Sequence, residues 1–146
     1  MTTLHILYIM HIYNIKIRGV PMNIIISNSS GQPIYEQIVS QIKNMIISGS
    51  LKEGDALPSM RLLAKELRIS VITTKRAYEE LEREGFIVSY TGKGSFVASQ
   101  NMELIKEQKY REIEDYLRKA SDTALTCDVS LEEILQMLEM IYKGEA

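Results

Sequence analysis

At 146 residues, 45% hydrophobic and 25% charged, the chain has the make-up of a folded protein holding one ordinary domain or a small module with a helical appendage, which excludes a large catalytic domain beside a second one. A net charge of -2 excludes the bulk basicity of proteins that grip nucleic acid by total charge, but the charge is uneven: residues 22–100 carry nine basic groups against eight acidic ones, and residues 101–146 six against eleven. One cysteine, Cys127, with only His5 and His11 as histidines, leaves neither an internal disulfide nor a metal-ligand cluster, and fits a reducing, cytoplasmic setting.

The apolar run from Leu4 to Ile17 is shorter than the ~20 residues of a membrane-spanning helix, and its positive charges, Lys16 and Arg18, follow it rather than precede it, unlike a secretory signal. Arg18-Gly19-Val20 just before Met22 is what a purine-rich ribosome-binding sequence gives when read as protein. Residues 1–21 are therefore expected to be a non-native or untranslated extension, with translation starting at Met22 and no membrane attachment.

From Pro33, apolar residues Ile34, Ile38, Ile42, Met45 and Ile46 recur at helical spacing. Gly49 and Gly54 end that helix, and Asp55-Ala56-Leu57 is short enough for an extended link or an edge strand. Ser59 can cap a short helix with Leu62, Leu63, Ala64 and Leu67 as its apolar face, and Ser70 a second one with Ile72, Ala77, Tyr78 and Leu81 predicted inside, ending at Gly85. Phe86–Tyr90 and Ser95–Ala98 read as strands around the glycine-rich Thr91-Gly92-Lys93-Gly94. A long one-sided amphipathic helix is predicted from about Met102 to Ala124, a break at Thr126-Cys127-Asp128, and a last helix capped by Ser130 with Glu133.

The predicted fold is mainly α with a small β wing: a winged helix-turn-helix domain over residues 22–99, followed by an antiparallel helix pair over 100–146 that serves for dimerisation. In such a motif the second helix enters the DNA major groove with its first turn, so the groups there are the candidates: Ser70, Thr73, Thr74, Lys75 and Arg76. Thr, Lys and Arg reach base edges or phosphates. Because adjacent helix positions diverge by about 100°, Lys75 and Arg76 are expected to divide between bases and backbone. Lys93 between Gly92 and Gly94 suits a wing lying on the backbone or in the minor groove. Taken singly, basic helix residues are ordinarily a solvated face and Gly-Lys-Gly ordinarily a hairpin turn; the ordered combination is what points to DNA.

Leu57-Pro58-Ser59-Met60-Arg61-Leu62-Leu63-Ala64, then Ile69 to Gly85, then Gly92-Lys93-Gly94-Ser95-Phe96-Val97, together resemble the GntR family of bacterial regulators, and Pro33-Ile34-Tyr35-Glu36-Gln37-Ile38 with the short helical tail its YtrA-type subfamily. The resemblance implies a homodimeric repressor of a small operon, often one for a transporter. It also implies a phosphate or base contact for Arg61, recognition-helix contacts for Thr73 and Lys75, and a wing tip at Gly92. Val71 stands where many members have a base-reading arginine, and Thr74 where a buried valine is usual.

Amphipathic helices after residue 101 call for a two-fold partner, so double-stranded DNA with a palindromic operator is expected, its half-sites about one helical turn (~34 Å) or a multiple apart. Residues 101–146 leave little room to enclose a ligand of ~300 Å³, so a small-molecule effector, whose existence and identity stay open, is expected only at the dimer interface; Tyr110, Tyr116 and Tyr142 could line it, although tyrosines at helical spacing are more often core or interface packing. No nucleophile–base pair, phosphate loop or cofactor motif suggests an enzyme. The rival expectation is a winged helix that binds another protein and not DNA.

Overall fold

The computed structural model describes residues 10–17 and 20–145, with side-chain surroundings from Met22 onward. About half of the 1–21 segment expected to be an extension lies outside the described residues. The chain divides into two compact units, one up to Gln100 and one from Asn101.

Among the described residues, the first unit opens with an antiparallel strand pair that the sequence does not predict. Strand β1 (Met10–Ile17) pairs antiparallel with β2 (Val20–Ser27), in a register running from Met10 opposite Ser27 to Ile17 opposite Val20. Ile24-Ile25-Ile26 is an unbroken apolar run, so the period-two signal of a half-buried strand is missing from the sequence. In the structure the alternation appears as burial: Met22, Ile24 and Ile26 are in the core, while Asn23 is exposed.

Helix α1 (Ile34–Ile47) buries Ile38, Val39, Ile42 and Ile46 on one face. Its Gln37 and Gln41 hold β2: Gln41 accepts from the Ile25 N–H (2.7 Å) and donates to the Ile25 carbonyl (2.7 Å), and Gln37 does the same for Ser27 (2.8 and 2.9 Å). Ala56 then bridges to Phe96, with Leu57 N–H donating to the Ser95 carbonyl, so the Asp55–Leu57 link adds a third edge to the wing.

Helices α2 (Met60–Leu67) and α3 (Val71–Arg83) start where the sequence supplies caps: Ser59 Oγ accepts from Leu62 N–H at 3.1 Å, and Ser70 Oγ from Ile72 N–H at 3.2 Å. Arg68 closes α2 in the left-handed region (φ 54°), and Ile69 N–H returns to the Ala64 carbonyl. Strands β3 (Ile87–Tyr90) and β4 (Gly94–Val97) pair antiparallel as the wing. Ile38, Ile42, Leu63, Leu67, Ala77, Tyr78, Leu81, Ile87 and Val97 share one core with β2. Each large side chain buried there contributes about 1.5–3 kcal/mol.

The second unit has helix α4 (Met102–Thr126), capped by Asn101, and helix α5 (Leu131–Lys143), which starts at a reciprocal Ser130–Glu133 capping box and ends at Gly144. Helix α4 runs two residues past the expected Ala124. Among the described residues of this unit only Ala124 is buried. Leu117, Ala120, Ala124, Ile134, Leu138 and Ile141 line an open apolar groove of about 470 Å³ between the two helices.

Candidate nucleic-acid interface

The helix-turn-helix is built by packing α3 against α1 and α2 through the face Thr74, Ala77, Tyr78 and Leu81. These positions follow the i, i+3, i+4, i+7 rule of one helix stripe. Tyr78 anchors it: its phenol donates to the Pro58 carbonyl at 2.7 Å, tying α3 to the entry of α2, and burial pushes its pKa well above the ordinary value.

Two placements correct the sequence-based expectations. Thr74, expected among the DNA-contacting groups, is fully buried; its hydroxyl lies 2.9 Å from both the Met60 and Val71 carbonyl oxygens and shares its one proton between them, which removes it from the exposed surface. Ile72, expected inside, is 78% exposed. Two helix positions are about 200° apart, so a stripe centred on Thr74 necessarily turns Ile72 outward.

The other candidates lie where a ligand can reach them. Arg61 is exposed in the first turn of α2, Thr73 is half-buried and Lys75 and Arg76 are exposed on α3, and Gly92, Lys93 and Gly94 form the exposed wing tip. Ser70 is exposed, with its hydroxyl committed to the cap. The tip turns on Gly92 (φ 75°) and Gly94 (φ 103°), conformations that glycine adopts without strain, and Lys93 N–H closes it onto the Tyr90 carbonyl. The wing is tied to α3: Glu82 accepts from Ser89 N–H at 2.9 Å and Phe86 N–H donates to the Leu81 carbonyl.

The cations sort into two groups. Toward the C-terminal end of α3, Arg83 pairs with Glu80, and Lys43 of α1 with Glu84. The Arg83 guanidinium accordingly holds the Glu80 carboxyl below its ordinary pKa. Around the first turn of α3 and at the wing tip, Arg61, Lys65, Arg68, Arg76 and Lys93 have no carboxylate partner among the described residues, and Lys75 has only a loose, solvated one in Glu79 at 3.6 Å. An exposed pair of that kind is worth only a few tenths of a kcal/mol, so Lys75 is free to exchange it for a phosphate or a base.

The Arg76 guanidinium lies 3.8 Å from the centre of the Tyr35 ring, whose hydroxyl donates to Glu36; that bond, more than burial, raises the Tyr35 pKa. Arg76 is thereby aimed from α3 across to α1. The exposure of Ile72 and the seating of Arg76 on the half-buried Tyr35 had no signal in the sequence, because only the packing sets which side of α3 faces outward.

Among the described residues no group of three or more His, Cys, Asp or Glu is gathered as a metal would require, and no helix is long and apolar enough to cross a membrane. Residues 34–97 match the sequence signature of the bacterial regulatory proteins of the gntR family. The chain is 36% identical to the HTH-type transcriptional repressor YtrA of Bacillus subtilis over 77% of its own length and 86% of that protein's. A solved structure titled as a transcriptional antiterminator from Listeria monocytogenes superposes with a TM-score of 0.61 at 34% identity, covering 80% of this chain and 87% of that one. YtrA from Sulfolobus acidocaldarius, titled a GntR-family transcription factor, superposes at 0.51 and 39% identity, covering 62% of this chain and 97% of that one.

Proposed function

The chain belongs to the GntR family of bacterial regulatory proteins, and from that premise we propose that it is a sequence-specific DNA-binding repressor of a small operon, acting in the cytoplasm as a homodimer on a palindromic operator. The observation that carries this reading is a set of exposed cations without carboxylate partners among the described residues: Arg61 in the first turn of α2, Arg76 on α3 and Lys93 at the wing tip. Such groups neutralise phosphates on either side of a groove, while Lys75 and Thr73 between them reach base edges. The net charge of -2 does not oppose it, since the acidic excess lies in the second unit.

Dimerisation is supported by that second unit, whose helices α4 and α5 leave Leu117, Leu135, Leu138 and Ile141 exposed with almost nothing of their own to cover them. A second copy applied about a two-fold axis buries each stripe against its equivalent and sets two α3 helices for two half-sites. Any effector would sit where the copies meet.

The test is selection of duplexes from a random pool, followed by affinity against salt. The expected result is enrichment of a palindrome whose affinity falls about 10³-fold between 50 and 200 mM salt for six phosphate contacts. Failure to enrich any duplex, or binding insensitive to salt, overturns the reading in favour of a protein-interaction module.

A further inference from the structure

The first turn of α3 carries two β-branched apolar residues in the open: Val71 is 45% exposed and Ile72 78% exposed. Neither belongs to the stripe Thr74, Ala77, Tyr78, Leu81 that packs inward. One turn further along, Val71 is followed by Lys75 and Ile72 by Arg76, both exposed, so the outward face of α3 has an apolar tip and a cationic shaft. The Ser70 cap fixes the backbone of that tip.

We infer that Val71 and Ile72 read the C5-methyl groups of thymines in the major groove, which makes this regulator's half-site dependent on thymine methyls at the positions under the start of α3. The inference rests on the DNA-binding reading above and deepens it. Neither side chain has a donor or an acceptor, so no base edge opposite them is recognised by hydrogen bonding. The thymine methyl is the one apolar feature that the major groove presents. The occupant follows from charge: one turn along α3 from the apolar tip stand the exposed Lys75, with only the loose Glu79 partner, and Arg76, with no carboxylate partner among the described residues, a setting complementary to phosphate. With phosphate held by that shaft, the tip is set against base edges. Val71 and Ile72 gain from a methyl group there what they forgo by staying outside the core.

The experiment uses the full chain and the duplex it enriches from a random pool. Thymines of each half-site are replaced by deoxyuridine, which keeps base pairing and removes only the methyl group. The expected loss is about three- to fivefold in affinity per contacted thymine, the worth of one buried methyl. In Ile72→Ser or Val71→Ser, checked for an unchanged thermal melt, the uracil penalty is expected to vanish at the thymine facing the replaced residue and to remain at the other, and in the double variant the uracil and thymine duplexes are expected to bind equally well. Ile72→Arg is expected to shift the enriched base at the facing position from thymine to guanine. Equal binding of both duplexes by the wild-type chain overturns the inference while leaving DNA binding intact, and so does a uracil penalty that persists unchanged in both serine variants. If no duplex is enriched at all, the DNA-binding reading itself falls, and this inference with it.

Discussion

Tyr78 shows how a single polar atom positions the interface. Its hydroxyl satisfies the Pro58 carbonyl from inside the core, so Tyr78→Phe leaves that carbonyl with one partner fewer and is expected to cost about 1–3 kcal/mol, read from denaturant unfolding at neutral pH. The same burial sets a pH dependence. The folded-state pKa is raised above the ordinary 10.0, so the unfolded chain loses this proton first; stability is intact below pH 10 and falls as pH rises above it. The phenylalanine variant is expected to lack that share of the alkaline loss, which its melting curves from pH 9 to 11 would reveal by difference. Under the proposed function, Lys75 and Lys93 are expected to divide the work of binding. Lys75→Ala is expected to weaken the selected duplex far more than random DNA, and Lys93→Ala to weaken both alike, with a salt slope lower by about one unit. Competition binding on the two kinds of DNA checks this, and an identical pattern for both variants would contradict the division of roles.

Among the elements, α2, α3 and α5 were legible in advance because their caps are written in residue types: Ser59, Ser70 and Ser130 each accept the N–H that a cap should. The wing was legible from the β-branched and aromatic runs around Gly92 and Gly94. What could not be read was phase. Helix α3 has apolar residues on more than one side, and Ile72 is larger and more apolar than Thr74, so hydrophobicity alone assigns the inside wrongly. The structure seats Thr74 inside because its short hydroxyl returns to the carbonyls of Met60 and Val71, which leaves no polar atom orphaned. The β1–β2 hairpin escaped for a related reason, since a run of three isoleucines has no period to detect. Ser70 offers a test at this scale. Ser70→Asp keeps a side-chain oxygen for the Ile72 N–H and is expected to leave stability within about 0.5 kcal/mol, while its charge, set against DNA phosphates, lowers affinity by about fivefold or more. Ser70→Ala is expected to do the reverse, losing about 1 kcal/mol of stability with a smaller effect on binding. Thermal melts beside binding isotherms separate the two.

For the whole molecule, the two units differ: the first holds a core built from β2 together with residues 34–97, and carries the proposed DNA-facing surface, whereas α4 and α5 present apolar stripes with a single buried residue, Ala124, among those described. Leu138→Asp places a charge in the middle of the apolar groove and leaves the first unit untouched. It is expected to convert a dimer to a monomer in sedimentation, to keep the melting transition of the first unit, and to weaken a two-half-site duplex by at least tenfold while changing binding to one half-site little. A variant that stays dimeric would move the interface elsewhere. The glutamine contacts of β2 reach beyond the core. Four helix residues advance about 6.0 Å and two strand residues about 6.8 Å, so Gln37 and Gln41 match the spacing of Ile25 and Ser27 and turn one face of α1 into a surrogate strand. The place of Met22, Ile24 and Ile26 in the core is therefore underwritten from the helix side. A chain begun at Met22 is expected to melt within about 1 kcal/mol of the full one and to bind DNA equally, whereas Gln37→Ala with Gln41→Ala in the full chain is expected to unseat the strand. On those terms the α1-facing edge of β2 is set by two amide side chains.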